Sequence, residues 1–445
     1  MKFEVQSLEI LQRSLKKLEA GFNNLEDLKS DHDYSQMEKI LLDVSQRLHN
    51  NYPYFHPLYA GQMLKPPHPV ARLAYMLSLW INPNNHALDG GKESSAMEKE
   101  AVAEIAAMFD WKQFLGHLTG GGTMANMEAL WIASQEKPGS TILISEQAHY
   151  THPRISEVLG LKYELVPCDA AAKMDVEYVR NRLAQGDVGT VVATIGTTGT
   201  GSVDPLAEIM ELRETYDFRI HADAAYGGYF ILTDNLDGPA KTAYECLPLV
   251  DSLVVDPHKH GLQPYGCGCI LYKDPKVGRH YRHDSPYTYF TSDDLHLGEI
   301  SLECSRAGAA AVALWATQKL FPLEKKGKFA RNLVKSRKAA LELYKRLEKD
   351  SRFRTIMPPE LDILVWTPQG NSTSTITAAS HRFFQQAAQQ NLHLALFNCP
   401  VSLLKNKWKE VNFNTPQVTC IRSCLMKPEH YEWMDKIWEI IDRIA

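Results

Sequence analysis

The sequence predicts an α/β protein in which a large, doubly wound and mostly parallel sheet is followed by a smaller C-terminal α/β domain. Two observations lead to this prediction. Between residues 141 and 272, short stretches rich in Val, Ile and Leu alternate with segments of helical spacing, as expected for parallel strands joined by crossover helices. The charged run from Glu324 to Lys328 then marks a solvated junction, and a shorter alternation of strands and helices follows it.

The N-terminal part has a different pattern. Up to about residue 50, apolar residues recur at helical spacing among charged ones, as in the series Leu8, Leu11, Leu15 and Leu18. From Tyr52 to Pro69, prolines and aromatic residues favour an extended conformation. We therefore predict an N-terminal helical and extended segment at 1–85, a large domain at 86–323 and a small C-terminal domain at 324–445.

The apolar stretches give the predicted strands. In the large domain they are Thr141–Ser145, Lys162–Pro167, Thr190–Ile195, Phe218–Ala222, Ser252–Val255 and Cys269–Tyr272. In the small domain they are Phe353–Ile356, Asp362–Trp366 and Val418–Ser423, with helices near Ala378–Gln390 and Tyr431–Ile444. Short apolar runs bounded by polar or glycine-rich turns are typical of buried strands.

Composition excludes several classes of protein. The 445 residues carry a formal charge of −5 and are 44% hydrophobic and 23% charged, so neither nucleic acid nor a membrane surface is expected as a partner. The sequence shows neither a signal peptide nor an apolar run of membrane-spanning length. Eight dispersed cysteines indicate reduced thiols and a cytoplasmic location. Cys267 and Cys269 alternate along a predicted strand without a second ligand pair, so no metal site is expected.

Two predicted strands end in groups that suit one cofactor. Asp223 follows one strand, and Lys259, flanked by His258 and His260, follows the next. Ligands of open α/β sheets bind just beyond the carboxyl ends of the strands. A lysine that forms a Schiff base and an acid that pairs with a pyridinium nitrogen are what pyridoxal phosphate requires.

Three more strand ends carry suitable groups. Gly120-Gly121-Gly122-Thr123 precedes a predicted helix, and free N–H groups at a helix start favour a phosphate. His149 follows the strand at 141–145, where it can stack on a ring or donate a proton. Thr198 lies in a loop rich in hydroxyl groups that can line the ring. Each signal is weak alone, but their shared position at strand ends makes coincidence improbable.

These motifs resemble those of the group II pyridoxal-phosphate-dependent amino acid decarboxylases, which have the fold type I (aspartate aminotransferase-like) architecture. The resemblance covers about Tyr52–Leu320 and rests on His-Ala-Asp-Ala-Ala-Tyr-Gly-Gly at 221–228 and Asp-Pro-His-Lys at 256–259. The Asp-Pro-His-Lys-x-Gly context is most similar to that of the archaeal-type tyrosine/aspartate decarboxylases. The segment 94–98 also resembles the family's helix start with its buried acid, Glu98.

The resemblance implies a role for each site residue. Lys259 would hold the cofactor covalently and Asp223 would pair with its ring nitrogen, while Ala225 and His149 would pack on opposite ring faces. The phosphate would be held by Gly122, Thr123 and His258. Arg306 would receive the substrate's α-carboxylate, because a guanidinium matches a carboxylate bidentately; an interdomain salt bridge is its alternative role.

Two positions depart from the family pattern. Asp256 stands where aromatic decarboxylases often have asparagine, and it places an acid near the phosphate unless it points away. The loop that would return a proton to the substrate carbon is short, and either Tyr287 or Tyr289 can serve there.

The implied reaction is decarboxylation of an L-amino acid to an amine and carbon dioxide. The basic residues Arg279, His280, Arg282 and His283, with His260, favour an acidic substrate, whereas the aromatic segment Tyr52–Tyr59 favours an aromatic one. A carbon–carbon lyase, an aldehyde synthase of the same fold and a catalytically silent binding protein are the alternatives. Because family active sites form at a dimer interface, a homodimer clasped by the N-terminal helices is expected.

Overall fold

The computed structural model describes residues 4–26, 31–86, 88–281 and 300–445. Its strands are β1 (Leu115–Thr119), β2 (Thr141–Ser145), β3 (Tyr163–Val166), β4 (Val188–Thr194), β5 (Arg219–Asp223), β6 (Ser252–Val255), β7 (Gly268–Tyr272), β8 (Phe353–Thr355), β9 (Ile363–Pro368), β10 (Ala395–Pro400) and β11 (Gln417–Cys424). Its α-helices are α1 (Val5–Ala20), α2 (Tyr34–Leu48), α3 (Pro69–Ser78), α4 (Leu88–Met108), α5 (Gly122–Glu136), α6 (Thr151–Val158), α7 (Val176–Leu183), α8 (Leu206–Glu211), α9 (Gly238–Cys246), α10 (Gly308–Leu320), α11 (Lys328–Lys349), α12 (Thr373–Gln389), α13 (Glu429–Glu432) and α14 (Met434–Ile444).

The large domain contains a seven-stranded sheet in the order β1-β7-β6-β5-β4-β2-β3. The five strands from β6 to β3 are parallel, and β7 runs antiparallel to both β6 and β1. Every residue of β2, β4 and β6 is buried, as expected for parallel strands covered on both faces. The predicted doubly wound, mostly parallel architecture is confirmed.

The register of this sheet creates the site. Asp223 at the end of β5 lies opposite Thr194 on β4 and Val254 on β6. The segments that leave β4, β5 and β6 therefore emerge side by side at one edge, and α5 begins near the same edge, where Gly268 of β7 closely approaches Gly121.

The small domain contains a four-stranded antiparallel sheet in the order β10-β11-β9-β8. Helices α11, α12 and α14 supply apolar residues to a core around Trp366, Phe353 and Phe383. Two strands, β1 and β10, were not predicted. Gly116 and His117 weaken the strand signal of β1, and β10 has few buried residues and ends at a proline; both form because neighbouring strands pair with them.

The N-terminal segment forms α1 and α2, as its pattern predicts, but the stretch predicted to be extended contains turns and bends, because the N–H groups of Tyr54, His56 and Tyr59 bond to carbonyls two or three residues earlier. Leu58 and Ala60 of this stretch pack on the small-domain core. By contrast, α2 has no buried residue, and its Ile40, Leu41 and Leu42 are 52%, 62% and 64% exposed. The described residues contain no helix that is long and apolar enough to cross a membrane.

Candidate functional site

A pocket of about 540 Å³ opens where the segments after β4, β5 and β6 meet the start of α5. Eight of the predicted site residues line it: Gly122, Thr123, His149, Thr198, Asp223, Ala225, His258 and Lys259. They come from five separate segments, so the topology brings together groups that are far apart in sequence. The roles predicted for them remain predictions.

The start of α5 offers hydrogen-bond donors to the pocket. Gly121 occupies the N-cap position, and no side chain caps the first turn. The first N–H groups of a helix have no intrahelical acceptor, so those of Gly122 and Thr123 are available to an anion. Together with the positive end of the helix dipole, they fit a phosphate group.

Asp223 is held by a histidine that the sequence did not predict. Nε2 of His152 lies 2.7 Å from Oδ2 of Asp223, and both side chains are buried. Burial by itself raises the pKa of the Asp223 carboxyl, but the hydrogen bond to His152 and the charges of His152 and Lys259 outweigh burial and leave its pKa well below the ordinary value. The carboxylate is therefore anionic at neutral pH, which suits a partner for a protonated ring nitrogen.

Lys259 faces a second carboxylate. Its Nζ lies 3.2 Å from Oδ2 of Asp256, which is also 3.6 Å from Nε2 of His258. Asp256 is 2% exposed, whereas the lysine side chain is 20% exposed and lines the pocket. Burial lowers the pKa of His258 despite the charge of Asp256, so His258 is a neutral imidazole at neutral pH.

His149 lies half-buried at the pocket wall, with its Nδ1 atom 2.9 Å from the Thr151 hydroxyl. Burial lowers the pKa of His149, and the opposing charge of Asp223 raises it less. A neutral imidazole can stack on an aromatic ring without bringing a charge into the pocket. Ala225 also lines the pocket, and its single methyl group leaves room for a flat ring.

Thr198 lies in a rigid loop. Gly196 has φ +99°, and a side chain there would approach Leu361 to 2.8 Å, so this turn requires glycine. The hydroxyls of Thr197, Thr200 and Ser202 are buried and bond to one another. Those three hydroxyls support the loop, and Thr198 is the threonine of this loop that lines the pocket.

Asp362 of the small domain contacts residues next to the pocket. Tyr226, a lining residue, donates its hydroxyl to Oδ1 of Asp362 at 2.5 Å. Nε2 of His260, the residue after Lys259, lies 3.4 Å from Oδ2 of Asp362. All three side chains are almost completely buried. Like His152, Asp362 was missed because no local pattern identifies a contact formed between distant segments.

Arg306 is engaged by Glu98. Its Nη1 donates to Oε1 of Glu98 at 2.8 Å and to the Leu118 carbonyl at 2.5 Å, and Arg306 is not among the residues that line the pocket. Its Nε and Nη2 atoms are buried and make no hydrogen bond within the described part of the chain. A second buried guanidinium, Arg422 on β11, also has an unbonded Nη2 there, and its charge reaches Tyr226.

The basic residues that favoured an acidic substrate have other partners. Arg279 and His280 contact the Glu136 carboxylate at 2.5 and 2.6 Å, and His260 is buried against Asp362. These three side chains therefore have carboxylate partners and do not line the pocket, and the choice between an acidic and an aromatic substrate stays a prediction. Arg282, His283, Tyr287 and Tyr289 lie outside the described residues.

The aromatic segment also lies away from the pocket wall. Tyr52, Tyr54 and Tyr59 pack on one another. Tyr265, whose hydroxyl donates to the Met63 carbonyl beyond this segment, has its ring against that of His258 with centroids 4.8 Å apart. None of Tyr52, Tyr54 and Tyr59 lines the pocket. Among the described residues, no group of three or more His, Cys, Asp or Glu side chains is arranged to hold a metal ion.

These groups fit pyridoxal phosphate. The pocket combines a reachable lysine, an anionic aspartate, free helix N–H groups and a neutral histidine. Those groups match the aldehyde, the ring nitrogen, the phosphate and the ring face of that cofactor.

Comparison with known proteins supports the same conclusion. The family described as the pyridoxal-dependent decarboxylase conserved domain matches residues 22–367, well over half of the chain. A probable L-tyrosine/L-aspartate decarboxylase of Methanothermobacter thermautotrophicus is 29% identical over 311 residues, which are 69% of this chain and 82% of the relative.

Solved structures share the fold at low identity. Mouse CSAD superposes with a TM-score of 0.79, covers 99% of each chain and is 17% identical. Rhodiola rosea 4-hydroxyphenylacetaldehyde synthase has a TM-score of 0.77, covers 100% of this chain and 98% of its own, and is 15% identical. The match of the family model over residues 22–367 shows that the chain belongs to the pyridoxal-dependent decarboxylase family, and it is a carboxy-lyase that uses pyridoxal 5'-phosphate.

Proposed function

We propose that this enzyme decarboxylates an L-amino acid with an uncharged, aromatic side chain. The observation that carries the proposal is the shared pocket of Lys259, Asp223 and the α5 start, whose lining contains the carboxylates Asp223, Asp256 and Glu303. Lys259 is the one Lys or Arg among the described lining residues. An acidic side chain would meet repulsion there, whereas an aromatic one would not.

The roles we propose follow from the contacts. When bound, the cofactor supplies an electron sink for the carbon that loses carbon dioxide. Asp223, anionic through His152, keeps a proton on the ring nitrogen. Gly122, Thr123 and His258 hold the phosphate, and Lys259 supplies the amino group that attaches the cofactor and later releases the product.

Two arginines compete as the anchor for the substrate's α-carboxylate. Among the described residues, two nitrogen atoms of Arg306, Nε and Nη2, make no hydrogen bond beside its pair with Glu98, and one nitrogen atom of Arg422, Nη2, makes none. Both are buried, so a carboxylate that bonds to either would form a desolvated and strong ion pair. We propose Arg306 first because Glu98 fixes its orientation. His149, Tyr287 or Tyr289 would return the proton to the substrate carbon.

An amine-release screen with purified protein and added cofactor tests this function. Carbon dioxide and product mass are measured over the common L-amino acids, for the wild type, for Lys259→Ala and for the matched control Lys345→Ala on the exposed face of α11. We expect amine from tyrosine, phenylalanine or tryptophan, its loss in Lys259→Ala and no change in Lys345→Ala. A preference for aspartate or glutamate would contradict the aromatic assignment.

The same screen separates the other outcomes. Aldehyde without amine would identify an aldehyde synthase, and bound cofactor without carbon dioxide from any amino acid would favour a carbon–carbon lyase. Arg306→Lys and Arg422→Lys then distinguish the anchors. We expect the lysine substitution of the true anchor to raise KM for the amino acid by about tenfold or more, because a bidentate contact is lost. The absorbance of bound cofactor should not change.

We also propose a cytoplasmic homodimer. The exposed apolar residues of α1 and α2, such as Ile40 and Leu41, support a second copy as their cover. All eight cysteines are unpaired, which supports a reducing compartment. Light scattering measures the molar mass of the wild type and of Ile40→Glu/Leu41→Glu in solution. We expect a dimer for the wild type and a monomer for the variant, and a monomeric wild type would contradict the proposed homodimer.

A further inference from the structure

Asp256 lies where a phosphate-binding site would not be expected to have an acid. It follows β6 and is 2% exposed. A β-carbon placed on Gly122 would lie 2.5 Å from its Oδ2 and 3.0 Å from its Oδ1. The carboxylate therefore does not point away, but packs directly against the first residue of α5.

The hydrogen bonding of Asp256 is incomplete. Its Oδ1 is buried and makes no hydrogen bond within the described part of the chain. Its Oδ2 faces Nζ of Lys259 at 3.2 Å and Nε2 of His258 at 3.6 Å. Because Oδ1 accepts none of the N–H groups at the α5 start, those donors stay free, and the carboxylate stands beside them as a second negative charge.

The groups around Asp256 leave Lys259 as its counter-ion. Burial lowers the pKa of His258 and His149 and raises the pKa of four weak acids in range of its charge, so all six are neutral near pH 7. Those weak acids are Tyr229, Tyr265, Cys267 and Cys269. Lys259 is therefore the one cation that Asp256 contacts among the described residues.

We propose that Asp256 weakens the hold of the pocket on the cofactor's phosphate, so that the cofactor is bound less tightly than the same pocket would bind it with a neutral residue there. The inference rests on the proposed function, since it takes the α5 start as the phosphate site. Two like charges near one helix start repel each other, and burial strengthens the repulsion. The side chain thus sets cofactor retention rather than the chemistry of the substrate.

The test compares two aldehydes that differ only in the phosphate. Dissociation constants of pyridoxal 5'-phosphate and of pyridoxal are measured by absorbance for the wild type and for Asp256→Asn, which keeps the shape and removes the charge. Both aldehydes react with Lys259 in the same way. We expect Asp256→Asn to bind the phosphorylated form about tenfold more tightly or better, which is about 1.4 kcal/mol, and to gain no such affinity for pyridoxal.

A matched control lies at the other end of the same strand. Asp251 precedes β6, accepts the Ile220 N–H at 2.7 Å and pairs with Arg213. It is roughly 16 Å from Asp256 along the chain, from the rise of a strand. Asp251→Asn removes an equal charge and should leave the ratio of the two dissociation constants unchanged. Asp256→Ser, which should act like Asp256→Asn, covers the case in which the amide variant does not fold.

Two results would overturn the inference. Equal changes for both aldehydes would mean that Asp256 acts through Lys259 alone, and weaker binding of the phosphorylated form would mean that it supports the α5 start. Failure of the proposed function is distinguishable, because the wild type would then show no Lys259-dependent absorbance with either aldehyde.

Discussion

Asp223 in the pocket and Asp362 at the domain junction are both buried aspartates, 5% and 0% exposed, yet their pKa values shift in opposite directions. The pKa of Asp223 is held well below its ordinary value by His152 and Lys259, despite burial. Burial raises the pKa of Asp362 to about 6, although the Tyr226 hydroxyl and the charge of Lys65 lower it. Burial penalises the anion in both places, so the partners decide the outcome.

The two shifts have opposite consequences for stability. The lowered pKa of Asp223 stabilises the folded state above pH 4, and this contribution is lost as the pH falls through the folded pKa. The raised pKa of Asp362 stabilises the folded state below its unfolded pKa of 3.8, and this contribution is lost as the pH rises through about 6. The partners of Asp223 therefore keep it ionised at neutral pH, although burial of the kind that Asp362 experiences disfavours a carboxylate anion.

Removing the charge of Asp223 should have the largest effect. Asp223→Asn keeps the shape but cannot hold a proton on the ring nitrogen, so kcat should fall by about 10³-fold, the size seen when a preorganised electrostatic partner is lost. Steady-state kinetics at pH 8 measure the loss. Asp362→Asn is the matched control and should change kcat far less. Activity of Asp223→Asn within tenfold of wild type would contradict the assigned role.

Removing the charge of Asp362 should stabilise the protein at neutral pH. The asparagine oxygen still accepts the Tyr226 hydroxyl, while the cost of an anion with pKa raised to about 6 disappears. That cost is about 3 kcal/mol, from 1.36 kcal/mol per pKa unit. Urea unfolding from pH 4 to 8 should show the gain above pH 6 and its decline toward pH 4. A gain independent of pH would show that Asp362 is not the titrating group.

Removing the imidazole of His152 should raise the pKa of Asp223, in the direction already seen for Asp362. In His152→Leu the hydrogen bond at 2.7 Å is lost, burial then dominates, and the pKa of Asp223 rises. The acid limb of the pH–rate profile should move up by about one unit, with about a tenfold loss of kcat on that limb. His152→Gln, which keeps a donor, should recover part of the loss. An unmoved acid limb would mean that Lys259 alone maintains the anion.

The comparison also shows why parts of the site were predictable. Asp223, Lys259 and Gly122 each follow or precede a recognisable element, and the carboxyl ends of parallel strands meet at one edge of the sheet. Local sequence therefore indicated eight of the residues that line the pocket, although it also predicted a site role for Arg306, which is not in the lining. It did not indicate His152 or Asp362, whose partners lie 71 and 136 residues away in the chain.

The sequence by itself determined the α/β class and the doubly wound sheet, because strand patterns and turn residues are local. It also determined the family and the cofactor, because the motif around Asp223 and the motif around Lys259 are specific. The tertiary structure decided which charges are partnered. It paired Arg306 with Glu98 and Arg279 with Glu136, and it turned Asp256 toward Gly122. The physical reason is that a side chain's charge state and partners depend on burial and on distant segments, neither of which a local pattern contains.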